Sequence, residues 1–169
     1  MLTAMIDLNA AHHEGLVGVH RALADAFAPL VAGTNPPLDV LVPQARGAAS
    51  FLLAHHHMES DGLFPGLRRH GHLRSADLAF LDGCDREHAA LHTLCDQLIA
   101  AATAPHPSAA TIKSLARDTL AVLTPHTREE EAGLAPDRLR QMIELPALTE
   151  LGHELDAMRA RVQAKLAAS

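Results

Sequence analysis

The chain has no tryptophan and no tyrosine, and its only aromatic residues are four phenylalanines. A tyrosyl radical is therefore excluded. Alanine and leucine fill the apolar positions instead, which favours helix and disfavours a β-sandwich. Cysteine is scarce as well, with Cys84 and Cys95 as the only two. Eleven residues apart on one predicted helix, they lie about 16 Å from each other and cannot pair within it. So low a count fits a reducing compartment, and both read as small buried hydrophobes. Basic residues are few, 14 Lys and Arg against 20 Asp and Glu, and the net charge is −6 with histidine neutral. No basic run is present, so a nucleic-acid surface is not expected. Also missing are an apolar run of the ~18 residues that a membrane span needs and a charged segment leading into an apolar one at the amino terminus. The expectation is a soluble, cytoplasmic protein.

What the chain does have is 13 histidines and 48% hydrophobic residues in a length of 169. That length fits a single domain over 1–169 with a sizeable core. Helical punctuation divides it. Ile6, Leu16, Val17, Leu23, Phe27 and Leu30 form a stripe that stops at "AGTNPP", predicting a first helix over about 6–32. A second begins near Pro37 and carries Leu41, Ala48 and Leu52 towards "LFPG". Ser75 is placed to cap a third with Leu78, Leu81, Cys84, Leu91 and Leu98, which ends by "APHP". Ser108 is placed to cap a fourth with Ile112, Leu115 and Leu123, interrupted by Pro125, which removes a backbone donor beside His126 and is expected to kink the helix there. A last amphipathic segment follows over roughly 137–166 and carries Pro146. With no convincing strand, the expected architecture is all-α: an up-down four-helix bundle with an additional C-terminal helix.

Two stretches repeat one pattern, His followed four residues later by Glu: His55 to Glu59 in "HHHMESDGLFP" and His126 to Glu130 in "HTREEEAGLAP". On a helix, residues i and i+4 share a face, so each stretch presents an imidazole and a carboxylate together. His88 and His92 in "REHAALH" repeat the spacing with a second imidazole. All three pairs continue apolar stripes: 41, 48, 52 for the first, 112, 119, 123 for the second, 78, 81, 84 for the third. A single such histidine reads as a satisfied core residue, and a single such glutamate as a solvated helix face. Six of them landing on core stripes do not, because a buried carboxylate without a partner costs several kcal/mol or shifts its pKa strongly. Metal coordination removes that cost. Imidazole and carboxylate without thiolate suit iron, manganese or zinc, and more ligands than one tetrahedral ion can use favour a dinuclear centre.

The order His, then His-x3-Glu with "LFP", then "EH", then His-x3-Glu resembles the hemerythrin-like HHE cation-binding family over about residues 6–136. The resemblance implies a four-helix bundle holding two non-haem iron ions (Fe2+/Fe3+) joined by an oxo or hydroxo bridge. It maps His55, Glu59, His88, His126 and Glu130 onto iron ligands with the glutamates as bridges, and His92 onto a second histidine that oxygen-carrying members possess. On the first helix, His13 and His20 share a face, while His12 lies about 100° away from His13. His13 stands 19 residues before Ala32 and His55 stands 18 after Pro37, which puts His13 at the depth of the site and His20 about 10 Å off it. His13 is therefore the expected ligand, His20 a core or supporting histidine, and His56 and His57 shoulder residues. The ferritin-like class needs two Glu-x2-His motifs, and only Glu150 to His153 fits.

The expected function is reversible binding or sensing of a small diatomic ligand, oxygen or nitric oxide, or iron handling. The alternative is a di-iron enzyme turning over peroxide or another small oxidant. No Ser, Cys or Lys nucleophile with an adjacent base is evident, which tilts the reading towards binding.

Overall fold

The computed structural model describes residues 8–167, with side chains over 9–161. Ile6 and the first turn expected around it lie outside these residues. Among the described residues every regular element is helical, and no helix is long and apolar enough to cross a membrane. Helix α1 spans Leu8–Val31 and α2 spans Leu38–Met58. Pro43 is accommodated within α2. The helix then widens into a π-turn at Glu59–Leu63 before resuming as α3, Phe64–His70. Pro65 explains the widening. It has no N–H, and its ring would strike the carbonyl four residues earlier in a regular α-helix. The Phe64 N–H accordingly bonds to the Glu59 carbonyl, five residues back.

Helix α4 spans Ser75–Thr103 and α5 spans Ala109–Gly133. Ser108 caps α5 as expected, its Oγ accepting from the Thr111 N–H at 3.3 Å. Ser75 does not cap α4. Asp77 closes that end, accepting from the Arg74 backbone N–H at 3.0 Å and its guanidinium at 2.8 Å, and from Arg138 at 3.1 Å. These partners hold the Asp77 carboxyl at about 2, below the usual range, with the Arg74 hydrogen bond as the chief cause.

The C-terminal segment is two helices instead of one, α6 at Pro136–Met142 and α7 at Leu145–Ala167. They break at Ile143, which is extended at φ −147° and ψ 139°. Pro146 follows in the first turn of α7, where a missing N–H costs nothing. Helix α7 docks on the π-turn and α3 through two glycines. A side chain at Gly62 would collide with Leu155, and one at Gly66 with Leu151.

Helices α1, α2, α4 and α5 pack in a ring, each touching the next. The core falls into two apolar clusters. One gathers Leu23, Phe27, Leu52, Leu91, Leu98, Ile112 and Leu123, the other Leu16, Phe64, Leu67, Leu81, Leu134 and Leu151. In each of the four helices, or in α3 that continues α2, the chain crosses from one cluster to the other through a buried polar residue: His20 in α1, His56 and then Glu59 from α2, His88 in α4, His126 and Glu130 in α5. A polar layer thus separates the two clusters.

Candidate metal centre

The layer holds two groups of convergent donors. His56, His88 and His126 each place a ring nitrogen within 4.8 Å of the others. His20, His55, Glu59 and Glu130 do the same with a nitrogen or a carboxylate oxygen. The carboxylates lie across both groups. Glu59 Oε2 is 3.4 Å from His55 Nε2 and 3.7 Å from His88 Nε2. Glu130 Oε2 is 3.2 Å from His20 Nε2 and 3.6 Å from His126 Nε2.

Three imidazoles are oriented from behind. His126 Nδ1 donates to Glu87 Oε2 at 2.8 Å and His20 Nδ1 to Glu131 Oε1 at 2.9 Å, since a carboxylate only accepts. His88 Nδ1 pairs with Ser60 Oγ at 2.7 Å. With the outer nitrogen protonated, the Nε2 lone pair of His126 and His20 points inward, which is the arrangement a metal-ligating histidine needs. The Nε2 atoms of His88 and His126 then stand 3.1 Å apart.

No hydrogen-bond partner reaches either oxygen of Glu59 or Glu130, Nε2 of His20 and His55, or either nitrogen of His56. Leaving such groups buried and unpaired costs several kcal/mol each for the carboxylates alone. The electrostatics register the strain. Burial, and then the neighbouring Glu130, pushes the Glu59 carboxyl well above its ordinary range. Burial, helped by His20 and His126, pushes His55 down to about 3. Burial, helped chiefly by His126, does the same to His88. His56 is also pushed down, by burial and then by His88. His20 differs: burial works to lower it, but Glu130 and Glu131 outweigh burial and raise it. Cations seated among these donors would pair with the carboxylates, with Nε2 of His20 and His55, and with one nitrogen of His56. The donor set of imidazole and carboxylate fits a divalent transition metal.

Of the residues expected from the sequence, His55, Glu59, His88, His126 and Glu130 come together. His13 and His92 fall outside both groups. The place expected for His13 is taken by His20, because equal counting from the turn assumes that both helices leave it at one depth. The connection between Val31 and Leu38 is six residues long and imposes no such symmetry. His20 instead sits between Leu16 and Leu23, where α1 passes from one cluster to the other. His92 is half-buried, its ring 5.4 Å from that of His56 and 6.5 Å from that of His88. Between them the third imidazole of its group comes from His56, which is fully buried. Its signal was present: 45, 49, 52 and 56 form a buried stripe along α2, which Glu59 continues into the π-turn. Pro125 leaves α5 continuous, and His126 follows it directly into the site.

A cleft of about 510 Å³ between α1, α2 and α7 reaches His55 and Glu59, with His12 on its wall. Cys84 and Cys95 are buried and unpaired with each other. Burial pushes both thiols up, Cys95 to about 12, so neither offers a thiolate.

Comparison with curated proteins and with solved structures gives no match. The hemerythrin HHE cation binding domain matches residues 11–137. That span contains both donor groups and all but the first three residues of the four helices that carry them, and the chain belongs to the hemerythrin HHE cation binding domain family.

Proposed function

We propose that the protein holds two iron ions and uses them to bind or sense a small diatomic ligand, oxygen or nitric oxide. The observation that carries this reading is the position of Glu59 and Glu130. Each presents one oxygen to histidines of both donor groups, so both carboxylates would be within reach of ions held by either group. Bound iron would supply a redox-active centre able to accept an external ligand. The chain's own part is to hold it. His20 and His55 serve one ion; His88 and His126, with His56, serve the other. Glu87, Glu131 and Ser60 fix the imidazoles from outside. The two apolar clusters above and below lower the polarity around the layer, which strengthens each electrostatic contact inside it.

Helices α1, α2, α4 and α5 are read as an up-down bundle. Supporting this, α1 and α4 run from the Leu16–Leu81 cluster towards the Leu23–Leu91 cluster, while α2 and α5 run the other way. The imidazole-rich donor set favours reversible ligand binding over turnover, since no side chain of the layer apart from the ligands is free to act as an acid.

The test is metal analysis with an optical titration. Protein produced with iron should carry close to two irons per chain, and the reduced form should change its spectrum on addition of oxygen or nitric oxide. One tightly held zinc without iron, or rapid saturable peroxide turnover without a stable ligand adduct, would overturn the reading.

A further inference from the structure

The cleft that reaches the metal centre is walled on one side by α7, which begins at Leu145 and so lies wholly outside the matched residues 11–137. It is a feature of this chain's own C-terminal helix. Its walls are apolar: Leu16 and Val19 from α1, Met58 from α2, Leu63 from the π-turn and Leu155 from α7. It continues along α7 into a second hollow of about 290 Å³ that shares Ala11, His12, Leu63 and Leu155 with the first. The docking that forms it is built in, since Leu155 occupies the space that a side chain at Gly62 would take. A preformed apolar hollow of this size with a few placed polar groups is the usual form of a small-molecule site.

Those polar groups choose the ligand. His12 Nε2 is buried and has no hydrogen-bond partner. Arg159 stands at the rim, its guanidinium 3.3 Å from Asp156, which lines the second hollow. Glu59 is the one acidic residue lining the cleft beside the centre, and in the functional reading its charge is met by metal. Two divalent ions against Glu59 and Glu130 would leave net positive charge at the end of the cleft, so the metal-loaded centre with the unpartnered His12 would favour an anionic head, and the walls favour an aliphatic or aromatic body.

We propose that the cleft between α1, α2 and α7 binds a monoanionic organic acid with an apolar body, its head group facing His12, His55 and Glu59. This rests on the reading of His55 and Glu59 as metal ligands. The ligand is larger than a diatomic gas, and the site would make the centre responsive to, or reactive towards, such an acid.

The experiment is calorimetric titration of the iron-loaded protein with acetate, butanoate, hexanoate and octanoate, with iron content measured in parallel. Burial of each methylene against the walls should tighten binding about two- to fourfold, until the hollow is filled. Gly15 lines the cleft, and a Cβ there meets no atom within 4 Å, so Gly15→Leu should fold and narrow the space. That variant should flatten the dependence on chain length while keeping its iron. His12→Leu should weaken every acid by a similar factor and leave the dependence intact. Equal affinity for acetate and octanoate in the unaltered protein, or an undiminished dependence in Gly15→Leu, would overturn the proposal. A chain-length dependence on protein that holds no iron would support the cleft and sink the metal reading instead.

Discussion

The imidazole of His56 stacks face to face on that of His88, with ring centroids 3.8 Å apart and planes 10° apart. His56 is fully buried, and neither of its ring nitrogens has a hydrogen-bond partner. A core histidine kept only for packing would be expected to satisfy at least one nitrogen. His56→Ala should therefore lower iron content towards one ion per chain, whereas His92→Ala should leave more iron bound. Elemental analysis of the two purified variants decides it, and the reverse order would return the third imidazole to α4.

On α1 the corresponding comparison is His20 against His13. His20 Nε2 faces Glu130 at 3.2 Å while its other nitrogen is tied to Glu131. His13 lies two helical turns, about 10 Å, towards the amino end. His20→Ala should lose iron, and His13→Ala should load normally. Iron stoichiometry measured at matched protein concentration checks both.

Glu87 is not a candidate ligand, yet its carboxylate fixes the tautomer of His126 through the 2.8 Å bond to Nδ1. Partners of this kind commonly contribute 10- to 100-fold in metal affinity, so Glu87→Ala should weaken binding by about that factor. Competition with a chelator of known affinity gives the number. Helical content should be unchanged, because the Glu87 side chain is 40% exposed and leaves no cavity in the core.

Metal-free protein should show a pH dependence set by the inner histidines. His55 and His88 are held at about 3, below the 6.5 of a free imidazole. Between those values the unfolded chain binds more protons than the folded one. Stability should then fall as pH drops from 6.5 towards 3, by at most about 1.4 kcal/mol per pH unit for each histidine. Glu59 works in the opposite sense: its raised pKa favours the folded state below its ordinary value of 4.5, and that contribution is lost as pH rises. Glu59→Gln should remove the opposing effect and steepen the slope. Urea unfolding of both proteins across this range measures it, and equal slopes would show that Glu59 does not titrate as described.

Much of the site was legible in the chain before any contact was known. Helical periodicity is a local property, so the doubled His-x3-Glu placed His55 with Glu59 and His126 with Glu130 on single helix faces, and the continuation of the apolar stripes carried those faces inward. The cost of burying carboxylates then pointed to metal. Composition alone sufficed for an all-helical fold. Where the helices stop was read less well, because the widening at Glu59–Leu63 and the break at Ile143 depend on what Pro65 and the docking of α7 do to neighbouring backbone.

The tertiary structure decided which histidines meet. His13 and His20 share one face, so periodicity cannot choose between them; on α2 the stripe already favours His56, and His55 beside it reaches the layer as well. The choice depends on how far one helix slides and rotates against the next, and that follows from the fit of Leu16, Leu23, Leu52 and Leu91 in two separate clusters. Only the packing of α7 against Gly62 and Gly66 could make the cleft beside the centre, since its α1 and α7 walls are more than a hundred residues apart in the chain. The sequence by itself determined the donor types and their helices; the register between helices, a sum of many nonlocal contacts, brought His20 rather than His13 into the layer and opened a cleft to His55 and Glu59.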